Sequence, residues 1–329
     1  MSPAPRTLTA HAHVYPLKEA FGISRGVKST AHTVIVRIEQ NGFAGRGECV
    51  PYSRYGENVD QTLVLIQDNS TAIERGASRQ ELMRLMPPGA ARNAIDCALW
   101  DLEAKTTQIP VFDQKRHERA KITTAYTIPY GPADHMERIA ARNAFRPLLK
   151  LKLGSSNDLN RLYRVAAAAE GARLIVDANE GWSLPEFESL IDDLVACNVS
   201  MVEQPLPARS DETLVAGVYP FHVCADESCH DRNSLSSVIG RYDMINIKLD
   251  KTGGLTEAVE LKAEAREAGL EIMVGCMVSG SLAIAPACYI AQDADLVDLD
   301  GPLFLARDIG DGIEFHESHM SLPKRALWG

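Results

Sequence analysis

Charged residues recur along the second half of the chain at a nearly fixed interval. Lys152, Asp177, Glu203, Asp226 and Lys248 are separated by 25, 26, 23 and 22 residues, and Asp298 follows after a further 50, about two such intervals. A strand, a crossover helix and their short loops take up roughly this length. One charged side chain at the same point of successive βα units predicts a parallel barrel with a polar site at one end.

Each of the six residues closes a short apolar run: PLLKLK (147–152), RLIVDAN (173–179), SMVEQP (200–205), FHVCADES (221–228), DMINIK (243–248) and DLVDLD (295–300). Side chains alternate faces along a strand. Lys150 and Lys152 therefore share one face, and Leu149, Leu151 and Leu153 the other. The same parity joins Asn246 to Lys248, Asp298 to Asp300, and Cys224 to Asp226. A single K-x-K or D-x-D strand ordinarily has a solvated face, but that reading does not account for six runs turning polar at the same end. In a barrel the C-terminal mouth is where the chemistry sits.

At 329 residues the chain has room for a barrel and one smaller domain. The net charge of −10 and the lack of a basic stripe argue against nucleic acid or an anionic membrane as partner. The opening MSPAPRTLTAHAHVY has no apolar core for a signal peptide and no stretch reaches membrane-spanning length, so the expected location is the cytoplasm. Seven scattered cysteines with no C-x-x-C pair read as buried thiols, and nine dispersed histidines show no metal-ligand spacing.

The first 115 residues break the βα rhythm. HTVIVRIEQNG followed by FAGRGECV is a hairpin about an Asn-Gly turn. A helix is expected around 59–75, and AARNAIDCALWDLEAK (90–105) predicts a largely buried helix ending before Ile109-Pro110. Residues 1–115 are thus expected to form an α+β capping domain, 116–300 the barrel, and 301–329 a tail whose strand-like GIEFH run returns to the cap. Two cap loops, FGISRGVKST (21–30) and ECVPYSRYGEN (48–58), carry Gly, Pro, Arg and Tyr. They read equally as ordinary turns or as loops that close over a site.

Asp177, Glu203 and Asp226 end three consecutive strands, and three converging carboxylates are costly without a cation. An all-oxygen set that leaves positions for water and substrate suits Mg²⁺. Lys152 and Lys248, on the second and sixth strands, face each other across that site. A lysine acts as a base near neutral pH only when its pKa is lowered, and Lys150 and the cation would both push that way. This constellation suits abstraction of a proton alpha to a carboxylate, with one lysine on each face of the carbon.

The K-x-K at 150–152, D-A-N at 177–179, E-Q-P at 203–205, A-D-E-S at 225–228 and N-I-K-L-D-K-T-G-G at 246–254 resemble the enolase superfamily, muconate-lactonizing subgroup, over essentially the whole chain. The resemblance implies a (β/α)7β modified TIM barrel with a capping domain, and a Lys base working with Mg²⁺. The D-L-D at 298–300 is similar to that of the dipeptide epimerases, where it holds the substrate's α-ammonium. Arg25 resembles the arginine that meets a glutamate side chain in the Ala-Glu epimerases. Thr124, placed on the first strand, Lys150 and Cys276 resemble their other substrate contacts. L-Ala-D/L-Glu dipeptides are the implied substrates, with a role in cell-wall peptide recycling and a possible homo-oligomer.

Other readings stay open at this level. A dipeptide epimerase of different specificity is one; N-acylamino acid racemase, cycloisomerase or o-succinylbenzoate synthase activity keeps the lysines and acids but has no need of Asp298 and Asp300 for an ammonium. A Schiff-base lysine barrel leaves the carboxylate trio unexplained. A non-catalytic metal-binding scaffold is the simplest remaining alternative.

Overall fold

The computed structural model describes residues 5–23, 26–112 and 121–329. The cap begins with an antiparallel sheet of β1 (Thr7–Ile23), β2 (Gly26–Gln40) and β3 (Phe43–Cys49). Asn41 and Gly42 both take positive φ, 53° and 80°, the backbone that a tight two-residue hairpin needs. Three helices follow, α1 (Val59–Glu74), α2 (Arg79–Leu85) and α3 (Ala90–Thr107).

Helix α3 packs unusually close to β3 because both surfaces are small. A Cβ at Gly45 would lie 2.1 Å from the carbonyl oxygen of Ala98, and one at Gly47 equally close to that of Ala94. The opposite side of α3 is polar yet buried, and it grips the segment that follows the sixth barrel strand. Arg92 donates to the carbonyls of Thr252 and Gly253, Asn93 to Asp250, and Asp96 accepts from the amide and hydroxyl of Thr256. Gly254, at φ 120°, leaves no room for a side chain, since a Cβ would sit 2.5 Å from Asp96.

After β4 (Lys121–Thr123) comes an eight-stranded parallel sheet. It contains β5 (Tyr126–Ile128), β6 (Leu148–Lys152), β7 (Arg173–Asp177), β8 (Val199–Glu203), β9 (His222–Ala225), β10 (Met244–Ile247), β11 (Glu271–Gly275) and β12 (Leu296–Asp298) in sequential order. The two outer strands meet, because the Ala125 amide donates to the Val297 carbonyl at 2.8 Å, and the sheet closes on itself. Inward-facing Ala125, Leu148, Ile175, Met201, Cys224, Met244 and Met273 form a sealed apolar layer. Outward-facing Leu149, Leu151, Val176, Val202, Val223 and Ile245 join the core beneath the helices.

The tail divides its contacts. Phe315–His316 (β13) pairs with His319–Ser321 (β14), which pairs with β4, so β14 lies between the GIEFH run and the chain leading into the barrel. Contacts with the cap come from both ends of the tail: the Ala306 amide donates to the Pro16 carbonyl at 2.8 Å, Trp328 Nε1 donates to the Cys97 carbonyl and the Gly329 amide to Asp101.

Glu48, near the end of β3, ties cap to barrel. Its Oε2 accepts from the Ala283 amide at 3.1 Å, in the first turn of the helix Ser281–Ala291. Burial pushes its pKa up from 4.5 to about 7, although the nearby Thr33 and Tyr15 hydroxyls and the amides at that helix end oppose the rise. The folded state therefore binds this proton more tightly than the unfolded chain does. Its contribution is complete below pH 4.5 and is lost as pH rises through about 7. The expected loss across that window is up to about 3 kcal/mol of unfolding free energy. In urea denaturation at pH 5 and pH 8, Glu48→Gln should remove that share of the difference seen in the unmodified protein.

Candidate active site at the barrel mouth

Above the apolar layer, the same inward faces turn polar. Register places Lys152 beside Asp177 and Asp177 beside Glu203 on neighbouring strands. Lys152 Nζ lies 2.5 Å from Asp177 Oδ2. Lys150 Nζ reaches three acids at once: Glu203 at 2.5 Å, Asp298 at 2.8 Å and Asp177 at 3.2 Å. Lys248, directly after β10, sits 2.6 Å from Asp226 and 3.7 Å from Glu203. With Lys152 on the second strand and Lys248 at the end of the sixth, the two ammonium groups enter from opposite sides of the cylinder.

A cavity of about 430 Å³ opens over this cluster. Lys150, Lys152, Lys248, Asp226, Asp298, Asp300 and Cys276 line it from the barrel. Asp177 and Glu203 are wholly buried. Both cap loops reach the same space, through Phe21, Val27 and Lys28 from one and Pro51, Tyr52 and Tyr55 from the other. Arg54 in the second loop makes a two-pronged bond to Glu180, just beyond β7, at 2.8 Å for each contact.

Thr124 is not where the sequence placed it. The first barrel strand starts at Tyr126, so Thr124 precedes it and its side chain has the outward parity of Tyr126. Its hydroxyl accepts from the Leu299 amide at 2.8 Å and helps seal the barrel. Thr127, with inward parity, lines the cavity instead, and its amide donates to Asp300 at 2.6 Å. Arg25 lies outside the described residues.

Lys251 was not singled out from sequence. Its Nζ is completely buried and donates to Asp226 Oδ1, to the Asp226 carbonyl and to the Asn246 carbonyl, at 2.6 to 2.8 Å. The signal was available in the K-x-x-K spacing of Lys248 and Lys251, because Leu249–Thr252 forms one helical turn that brings both back to Asp226. Lys28, Tyr55 and Thr127 were missed because only cap docking and barrel closure bring them to the mouth.

No group of three or more His, Cys, Asp or Glu side chains among the described residues is arranged to hold a metal ion as it stands, since lysine ammonium groups lie between the acids. The donor chemistry still fits a hard cation. Asp177, Glu203 and Asp226 present only oxygen, and Glu203 Oε2 is buried with no directional hydrogen bond, although Lys150 Nζ touches it at 2.5 Å.

Residues 6–114 match the mandelate racemase / muconate lactonizing enzyme N-terminal domain, and residues 132–326 the enolase C-terminal domain-like family. L-Ala-D/L-Glu epimerase of Escherichia coli (strain K12) is 41% identical over 320 residues, 96% of this chain and 100% of that protein. N-acetyl-D-glutamate racemase of a Pseudoalteromonas species is 42% identical over 301 residues, 90% of this chain and 95% of that protein. An enolase family member from Agrobacterium tumefaciens with homology to dipeptide epimerases was solved with sodium and L-Ala-L-Glu bound. It superposes with a TM-score of 0.95 at 45% identity, over 99% of this chain and 100% of that one. Dipeptide epimerases of Enterococcus faecalis and Cytophaga hutchinsonii, 27% and 25% identical and each with a TM-score of 0.89, were solved with Mg and a dipeptide. The first match covers 98% of both chains, the second 98% of this chain and 94% of its counterpart.

The charges are strongly interdependent. Burial disfavours the Lys248 ammonium, but Asp226 and Glu203 outweigh it and hold its pKa well above the usual lysine value. Lys150 repels this ammonium, an effect smaller than the attraction of the acids. Lys150 is raised in the same way, against burial, by Asp298, Glu203 and Asp177. Burial pushes Asp177 up, yet Lys152 and Lys150 bring it down to about 2. Asp226 is likewise held well below its usual value, against burial, by Lys248 and Lys251. Glu203 moves upward, through burial and the neighbouring Asp177. Removing one member of such a buried pair leaves an uncompensated charge. Lys251→Met should therefore lower the unfolding free energy by about 3–5 kcal/mol in urea denaturation, and Lys251→Arg, which keeps the charge, should lose less.

Proposed function

Because the chain belongs to the enolase superfamily and is, like its relatives, an isomerase acting on amino acid derivatives, we propose that it epimerises dipeptides, L-Ala-D/L-Glu foremost, at the α-carbon of the C-terminal residue. The observation that carries this reading is the pair of lysines entering one cavity from the second and sixth strands, with two further acids at the end of the eighth. In it, Lys152 and Lys248 take up and return the α-proton from opposite faces of the carbon, so that configuration inverts. Asp298 and Asp300 receive the free α-ammonium. Burial and the adjacent Asp298 raise Asp300 to about 7, so this carboxyl gains from a cationic ligand. Thr127 orients Asp300 through its amide.

Asp177, Glu203 and Asp226 are the residues that would hold a divalent cation, in keeping with Mg or sodium in the solved relatives. When bound there, Mg²⁺ supplies positive charge against the negative charge that develops on the substrate carboxylate as the proton leaves. The cap loops wall the side of the cavity opposite the charge cluster.

Incubation with L-Ala-L-Glu and Mg²⁺ in D₂O should produce the epimer with deuterium at the α-carbon, read by mass spectrometry. Chelation should abolish turnover and Mg²⁺ should restore it; full activity in metal-free protein would eliminate the metal role. Lys152→Ala and Lys248→Ala should each stop epimerisation, while each retains α-proton exchange of one isomer through the surviving lysine. Normal epimerisation without Lys248 would refute the two-base arrangement.

The Pseudoalteromonas relative supports a second reading, racemisation of an N-acylated amino acid. The two readings separate on the amine. If Asp298 and Asp300 bind an ammonium, acetylating the dipeptide's N-terminus should lower kcat/KM roughly ten- to a hundredfold. A preference for N-acetylglutamate over L-Ala-L-Glu would select the racemase.

A further inference from the structure

The cavity holds a cation that the reaction, as proposed, does not use. Lys28 lies on β2, opposite Phe21 of β1, and lines the cavity from the cap side. The three barrel lysines of the cavity wall each lie within 2.8 Å of a carboxylate. Among the described residues, Lys28 has no such acid. Its Nζ stands 5.3 Å from the centre of the Tyr52 ring, a contact that holds an ammonium without neutralising it. The residue is exposed to solvent, and partial desolvation of its ammonium, with no acid opposing it, lowers its pKa.

The hairpin that carries Lys28 is fixed to the barrel. The Tyr130 amide, just past β5, donates to the Gly22 carbonyl at 2.9 Å, and the strands approach so closely that a Cβ on Gly22 would lie 2.1 Å from the Tyr130 oxygen. Phe21 packs edge-on against Phe304 with ring centres 4.8 Å apart. Lys28 is thereby presented to the same cavity as Lys152 and Lys248, from an exposed stretch of the hairpin. A substrate anchored at its ammonium by the acids of the eighth strand, with its α-carbon between the two lysines, still has a side chain to place. If that side chain ends in a carboxylate, every barrel ammonium of the wall is already engaged with an acid, and the cap supplies the cation.

We propose that Lys28 is a specificity-determining residue that receives the side-chain carboxylate of an acidic C-terminal residue in the dipeptide. This rests on the epimerase reading above. It assigns to Lys28 a role that the sequence had given to Arg25 alone, and it makes selection for acidic side chains a property of cap docking.

The test compares L-Ala-L-Glu with L-Ala-L-Gln, a neutral analogue of nearly equal size, in the unmodified protein and in Lys28→Met, Lys28→Arg and Arg25→Ala. The unmodified protein should prefer the glutamate dipeptide. Lys28→Met should lower kcat/KM for L-Ala-L-Glu roughly ten- to a hundredfold, mainly through KM, and by at least about tenfold more than for L-Ala-L-Gln. Lys28→Arg should recover most of the preference, which a purely structural role in the hairpin would not require. Equal losses on both substrates in Lys28→Met, or no loss, overturn the assignment and leave the epimerase reading standing. So does a preference abolished by Arg25→Ala and untouched by Lys28→Met. Failure of the unmodified protein to turn over either dipeptide overturns both.

Discussion

At the barrel mouth, buried acids and buried ammonium groups are packed so that each answers the other, and most of what surrounds them follows from that requirement. Lys150 touches three carboxylates from three different strands, and Asp226 is held between Lys248 and Lys251. Charges this deep are tolerated only with close partners. The apolar layer below them, from Ala125 round to Met273, seals the cylinder, so the polar ends are accessible from one side only. The cap closes over that side.

The cap is fixed by polar contacts as well as by apolar packing. Helix α3 uses Arg92, Asn93 and Asp96 to hold the segment from Asp250 to Thr256, shortly after Lys248. Glu48 holds the start of the helix that follows the cavity-lining segment Cys276–Val278. A buried polar contact is directional and loses more free energy when misaligned than an apolar one does. These contacts therefore set the distance between cap and barrel closely enough for Tyr55 and Lys28 to line the same cavity as the lysines. Arg54 and Glu180 add a more exposed tie across the rim.

In the proposed reading, chemistry and selectivity fall to different parts of the chain. The strand ends would supply the groups that proton abstraction next to a carboxylate needs, and the cap hairpin what faces the variable side chain. Relatives bound to dipeptides as different as L-Ala-L-Glu and L-Leu-L-Tyr share the barrel with this chain. A residue such as Lys28, carried on a surface hairpin, can change without disturbing the charge cluster beneath it.

Much of the barrel was legible in the sequence because its signals are local. Period-two alternation fixes which side chains share a face, so Lys150 with Lys152 and Asp298 with Asp300 follow from six-residue runs. The Asn-Gly pair specifies the turn between β2 and β3 for the same reason. Other features depend on residues far apart in the chain. Closure through Ala125 and Val297 decides that Thr127 lines the cavity and Thr124 seals the seam, and no local pattern encodes where that first strand begins. The wedge of Lys251 under Asp226 and the raised pKa of Glu48 exist only when distant segments are buried together. So does the arrival of Lys28 and Tyr55 at the mouth. Strand pleat is a property of neighbouring residues and can be read along the chain, whereas burial, ring closure and cap docking are long-range contacts that only the folded structure brings about.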